Sequence, residues 1–147
     1  IAPIGGGGLL SGTAITTRAL LPAARVIGAE PFEVDDAYRS LETGIIQPRV
    51  EGPSTIADGL LTALGDLTFD TLRWAGVEIV RVNEDAIVEA ALFHLHRMKL
   101  LVEPSGATGL AAVRALGSTI AGERVGIIIS GGNTDLRWLP QLNPIPA

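Results

Sequence analysis

The chain has 147 residues, 47% apolar and 18% charged, a balance that supports one globular core and excludes disordered or collagen-like chain. Its formal charge of −5, with no run of Lys and Arg, argues against a surface that tracks nucleic-acid phosphates. There is no cysteine, which removes disulfides, thiolate metal sites and thiol nucleophiles, and no uninterrupted apolar run reaches the length of a membrane span.

Ile1 to Ile4 form a short apolar run that stops at Gly5, Gly6, Gly7 and Gly8, and Leu9 to Leu21 then carries small and apolar residues compatible with a packed helix. The pattern is strand, glycine turn, helix. Because the chain opens on Ile1 without Met, as though inside a strand, it is expected to be part of a longer protein. The lack of a basic, apolar leader makes the cytoplasm the default location. Pro22 ends the helix, Arg25 to Glu30 reads as a buried strand ending on an acid, and Asp35 and Asp36 cap a short helix through Leu41 that stops at Gly44. Ile45 to about Pro53 is loop-like, Thr55 to Gly65 is ambiguous, and Leu67 to Trp74 is helical. Val77 to Val82 alternates as a strand does, followed by Asn83 as a helix N-cap with Glu84 and Asp85 in the first turn. That helix runs to about Lys99 on an apolar stripe of Ile87, Val88, Ala91, Leu92, Leu95 and Met98. Pro104 opens a further helix through about Leu116. Val125 to Ile129 then reads as a continuous apolar strand running into Ser130, Gly131, Gly132 and Asn133. No internal repeat is evident.

Strands separated by helices, with runs apolar on both faces, point to an α/β fold: a mainly parallel sheet with helices on both faces. Such sheets place ligands at the carboxyl ends of strands. Three stretches qualify: the four glycines, the region after Glu30, and residues 130–133. Four glycines between strand and helix let several N–H groups converge on one anion at the helix N-terminus, and a phosphate is the natural occupant. The other reading is a tight turn without ligand. The stretch is not a P-loop, since no Gly-Lys-Ser/Thr follows, and Leu10 and Ser11 stand where a dinucleotide fingerprint needs its last glycine. Glu30, Glu33, Asp35 and Asp36 could offer oxygens to a hard cation, although spacing alone favours helix capping by Asp35 and Asp36. Ser130 precedes two glycines, so its hydroxyl could lie against a ligand that approaches the backbone closely, or simply occupy a turn. His94 and His96, two apart on a helix, point to different faces and are expected at the surface or rim. Lys99 reads as a helix-terminal charge, and Trp74 and Trp138 as packing groups.

Taken together, PIGGGGLLSG from Pro3, AEP at Ala29 with DDAYRS behind it, TIADGL from Thr55, RMKLLVEPSGATGLAA from Arg97 and SGGNTDL from Ser130 resemble the serine/threonine dehydratase and serine racemase family. These are pyridoxal-phosphate enzymes of the tryptophan-synthase-β fold, and the motifs occur in family order from Pro3 to about Leu136. The resemblance implies that residues 1–147 form an incomplete large cofactor-binding domain. It implies that Gly5, Gly6, Gly7, Gly8 and Leu9 wrap the phosphate of pyridoxal 5'-phosphate and that Ser130 hydrogen-bonds its pyridine nitrogen. It also implies a divalent cation, Mg²⁺ or else Ca²⁺ or Mn²⁺, on Glu30, the Val34 carbonyl and Asp36. The lysine to which the family attaches the cofactor lies upstream of the glycine loop. Lys99, the sole lysine here, is not that residue, so no catalytic residue is expected in this chain, and His96 replaces a Glu common among relatives. The implied substrates are L-threonine or L-serine, giving a 2-oxo acid and ammonia in a full-length homo-oligomer, with no nucleic-acid or membrane partner. Racemisation of serine or aspartate and dehydration of hydroxyaspartate are alternatives within the family, and a non-catalytic remnant or assembly fragment is one outside it. The chain alone is expected to be inactive, and a bulky residue at Gly6 or Gly7 to weaken cofactor retention.

Overall fold

Parallel strands cannot be joined by a tight turn, so each pair needs a crossover, and the glycine- and proline-punctuated helices supply it. The computed structural model describes residues 1–139; the last part of the expected domain, residues 140–147, lies outside the described residues. β1 (Ala2–Pro3), β2 (Ile27–Pro31) and β3 (Glu78–Val82) form a parallel sheet in the order β1-β2-β3, with Ala2 opposite Gly28 and Ile27 opposite Glu78. α1 (Gly8–Leu20) carries the chain from β1 to β2, and α2 (Asp36–Thr43) and α3 (Asp66–Trp74) lie between β2 and β3. α4 (Glu84–Phe93) and α5 (Pro104–Leu116) follow.

Side chains alternate across the sheet, and two cores result. Ile4 and Val26 pack with Leu10 and Ala14 of α1 and with Phe69 and Leu72 of α3. Ala29 and Val82 pack with Ile87 and Ala90 of α4 and with Ala107 and Ala111 of α5. The sheet is therefore covered on both faces, as expected. Local signals hold as well: Asn83 Oδ1 accepts the Ala86 N–H at 2.8 Å, Pro104 is at the start of α5, and Gly44 ends α2 with φ +73°.

Three expectations are corrected. Residues 125–129 form no regular strand: Ile1 N donates to Gly126 O (2.7 Å) and Ile128 N–H donates to Ile1 O (2.9 Å), but Pro3, next in register, has no N–H and the ladder does not continue. His94 continues the buried face of Ile87, Ala90 and Ala91 and is 3% exposed rather than at the surface, while the helix of Asn83 changes to a π-turn over His94–Met98 whose shift in phase leaves Met98 outside at 46%. Trp74 is exposed rather than packed, whereas Trp138 lies against the second core and donates from Nε1 to Thr134 Oγ1 (2.7 Å). Among the described residues no helix is long and apolar enough to cross a membrane.

Candidate functional site

After Ile4, whose N–H donates to Ala29 O at 3.0 Å, the chain leaves the sheet through Gly5, Gly6 and Gly7. Gly7 is the N-cap of α1 with φ +84°, a left-handed conformation that strains any side chain. A Cβ there would lie 2.8 Å from Leu64 Cδ2 and 2.9 Å from Thr68 Cβ. Thr68 Oγ1 holds the loop by donating to Gly6 O (2.9 Å), and Ser11 N–H closes the first helical bond on Gly7 O (2.8 Å). Glycine at position 7 is thus a requirement of packing.

Gly8 differs. It is exposed, its φ is not left-handed, and a Cβ on it would meet nothing within 4 Å. Glycine costs a helix interior up to about 1 kcal/mol against alanine, so the fold itself has no use for it there. Its bare backbone keeps clear the space before the first turn, where the N–H groups of Gly8, Leu9 and Leu10 have no intrahelical partner. The N–H groups of Gly5, Gly6 and Gly7 also find no backbone acceptor among the described residues, although Gly7 is buried. Converging donors at the positive end of a helix, beside a space that a Cβ would fill, suit a phosphate.

Across from this cradle, the chain returns along residues 125–129 to Ser130. A cavity of about 220 Å³ is lined by the four glycines, Leu9, Leu10 and Pro3, together with Gly59, Leu60 and Ser130. The structure therefore brings the expected phosphate residues and Ser130 into one space. It adds Gly59 and Leu60, in the 3₁₀ turn Asp58–Leu60, to which the sequence reading assigned no role. The only signal was their place in the TIADGL motif. Lys99 does not line this cavity; it sits after the π-turn with φ +59° and donates from Nζ to His96 O (2.8 Å).

The acidic cluster lies apart from the cavity. Glu30, in β2, is 2% exposed; its Oε1 accepts from Ala37 N–H (2.9 Å) and its Oε2 from Tyr38 N–H (2.8 Å). Glu30 therefore caps α2, the role that spacing suggested for Asp35 and Asp36. Asp35 makes no capping bond, because Arg39 Nε (2.8 Å) and Arg81 Nη1 (2.9 Å) take its carboxylate, and Arg81 also lies 3.9 Å from the Tyr38 ring centroid. Burial works to raise the Asp35 pKa, but the hydrogen bonds and charges of the two guanidinium groups outweigh it and hold it low. Asp36 is 2% exposed and its Oδ2 has no partner. Burial pushes Glu30 up to about 8 against its two N–H bonds, with Asp36 and Asp35 adding to the rise, and burial raises Asp36 too. Two buried carboxylates, one oxygen orphaned, with the buried Val34 between them in the chain, make a set of hard oxygen donors suited to Mg²⁺ or Ca²⁺. Among the described residues no three acidic or histidine side chains form a metal-binding group, so the third donor would have to be the Val34 carbonyl.

A parallel sheet with a glycine loop after its first strand and Ser130 in the same cavity defines the class, an α/β protein with a ligand-sized space at the carboxyl end of a strand. Residues 1–131 match the family of pyridoxal-phosphate dependent enzymes, and the chain belongs to that family. It is 50% identical over 145 residues to the serine racemase of Dictyostelium discoideum, a match covering 97% of this chain and 45% of that protein. With the beta-hydroxyaspartate dehydratase of Paracoccus denitrificans it shares 44% identity over 140 residues, 95% of this chain and 44% of the relative. A solved structure of similar shape is that of T.th. threonine deaminase, with TM-score 0.86 and 46% identity over 91% of this chain and 44% of that one. The chain spans less than half the length of the curated relatives it matches.

Proposed function

We propose that this chain is the cofactor-holding part of a pyridoxal-phosphate ammonia-lyase that converts a small hydroxy amino acid, L-serine or L-threonine, to a 2-oxo acid and ammonia. The observation that carries this reading is the meeting of the glycine cradle and Ser130 in one cavity. In it the N–H groups of Gly5, Gly6, Gly7, Gly8 and Leu9 would hold the phosphate ester, and the Ser130 hydroxyl would hydrogen-bond the ring nitrogen. When bound, the cofactor supplies an electron sink for the pair left at Cα after proton removal. Ser130, a neutral hydroxyl, does not enforce protonation of the ring as a carboxylate would, and the milder sink this leaves is enough when a β-hydroxyl departs as water. Leu10 and Leu60, both buried, supply apolar wall to the cavity. The base that takes the Cα proton is assigned to the lysine that relatives carry upstream, not to Lys99.

Glu30, Asp36 and the Val34 carbonyl would hold a divalent cation. Its charge would offset two carboxylates that burial otherwise disfavours, and would tie the end of β2 to α2.

A second reading is supported by the relatives: 50% identity to a serine racemase and 44% to a hydroxyaspartate dehydratase. Racemisation and elimination share proton removal at Cα and part only in the fate of the electron pair. The test is incubation of the full-length protein with L-serine, L-threonine and 3-hydroxyaspartate, following 2-oxo acid and D-serine. 2-Oxo acid from serine or threonine supports the proposal. D-serine without oxo acid gives the function to racemisation, oxo acid from hydroxyaspartate alone to that substrate, and absence of both cofactor and turnover to a non-catalytic remnant.

A further inference from the structure

The first turn of α5 has chemistry that the reading above does not use. Glu103 is the N-cap of α5, yet its side chain makes no bond to its own helix. Pro104 follows it at the first helical position, where its missing N–H leaves one orphan donor fewer. The carboxylate instead reaches across to the segment after Ser130: Oε2 accepts the Asn133 N–H at 2.9 Å, while the Glu103 backbone N–H donates to Gly131 O at 3.1 Å. The approach is close enough that a Cβ on Gly131 would fall 2.6 Å from Glu103 Oε1. Two residues on, Ser105 is 2% exposed and its Oγ accepts the Gly59 N–H at 2.9 Å. A Cβ on Gly59 would lie 3.0 Å from Ser105 Oγ and 3.9 Å from Glu103 Oε1. One helical turn therefore grips both segments, at Gly59 and at Ser130, that line the cavity with the glycine cradle.

We propose that Glu103 is a positioning residue for Ser130, acting through residues 131–133, and that Ser105 is its counterpart for Gly59, so that the two walls are held in fixed relation to each other. The inference rests on the cavity being the cofactor site, and it concerns how this chain's own residues hold that site. A carboxylate accepting a backbone N–H is a charge-assisted bond, stronger than a neutral one, and suits an irregular segment whose glycines would otherwise leave it free.

The experiment uses the full-length holoenzyme with Glu103→Ala, Glu103→Gln, Ser130→Ala and the Glu103→Ala/Ser130→Ala pair. Two quantities are read: amide hydrogen exchange over residues 131–133, and the visible absorption of the bound cofactor as a function of pH. Glu103→Ala is expected to speed exchange at Asn133 roughly tenfold, the loss of one charge-assisted bond. It is also expected to move the absorption profile in the direction that Ser130→Ala moves it. The glutamine variant keeps an oxygen that accepts the N–H and should stay within roughly threefold of the parent in exchange, since a neutral bond is the weaker one. The pair should shift the absorption no further than Ser130→Ala alone. Additive shifts, or an unchanged exchange rate in Glu103→Ala, overturn the proposal. If the parent protein holds no cofactor, the reading of the cavity fails by itself, and the exchange measurement still decides the role of Glu103.

Discussion

Replacing Gly8 by alanine separates the two demands on the glycine loop. At this position an added Cβ meets nothing within 4 Å and the backbone is not left-handed, so the fold has nothing to lose. Exchanging glycine for the best helix former adds up to about 1 kcal/mol in a helix interior and less at its end. The new methyl group, however, stands in the space that leads to the first-turn N–H groups. Denying a phosphate ester one charge-assisted hydrogen bond of about 1.5–3 kcal/mol lowers its affinity roughly ten- to hundredfold. Gly7→Ala is the contrasting control. It forces a side chain into a left-handed conformation with contacts of 2.8 and 2.9 Å to Leu64 and Thr68. The conformation costs about 1–2 kcal/mol and the overpacking about 1–3 kcal/mol more. Urea unfolding of the full-length apoprotein and fluorescence titration with pyridoxal phosphate measure both quantities. Gly8→Ala should be at least as stable as the parent and bind the cofactor poorly, while Gly7→Ala should be unstable. A Gly8→Ala protein that binds as tightly as the parent would refute the reasoning.

Three further outcomes follow from buried groups. With no cation present, the folded chain keeps the Glu30 proton up to about pH 8, whereas the unfolded chain gives it up near 4.5. The folded state thus binds the extra proton in that window, and stability falls as pH rises through it by up to about 1.4 kcal/mol per unit. Glu30→Gln should flatten this slope at a lower overall stability, because its amide nitrogen must then face an N–H of α2; millimolar Mg²⁺, Ca²⁺ or Mn²⁺ should flatten it by replacing the proton. A slope in thermal unfolding that no divalent ion alters would remove the cation from the account. Burial, with the Arg114 charge adding, lowers the His94 pKa, and its Nε2 has no partner, so stability is present above the ordinary imidazole range and is lost as pH falls through it. His94→Leu should abolish that acid-side loss in pH-dependent unfolding, and an unchanged profile would count against the buried neutral ring. Gly106→Val would put a Cβ 2.9 Å from Gly131 O, so it should displace the segment at Ser130 and loosen cofactor binding at least tenfold in a titration, a loss of about 1.4 kcal/mol; unaltered affinity would show that this segment is not held from α5.

What could be read from the sequence was local. The crossover helices, the Asn83 cap and the Pro104 start are fixed by residues next to them, and four adjacent glycines announce a cradle without any knowledge of the fold. The contacts that eluded it join distant positions. Asp35 fails as a cap because Arg81, 46 residues away, claims its carboxylate, and Glu30 caps α2 from a strand. Residues 125–129 have the composition of a strand, but after the bonds to Ile1 the next donor in register is Pro3, which has no N–H, so the ladder stops. The burial of His94 was legible from its place on the helical period of Ile87, Ala90 and Ala91, whereas no propensity marked the π-turn that takes Met98 off that face. The reach of Glu103 and Ser105 across the cavity was equally invisible, although Gly106 and Gly109 in the same helix signalled a close approach by residues 127–131.

The central claim, that the backbone of residues 5–9 holds a phosphate ester, is tested most directly by phosphorus NMR of the full-length protein as purified. The account predicts a bound pyridoxal-phosphate resonance that stays in place as pH is varied, because the N–H donors keep the ester dianionic, and that is lost in Gly8→Ala. A resonance that titrates as the free ester does, or a protein that carries no pyridoxal phosphate, would contradict it.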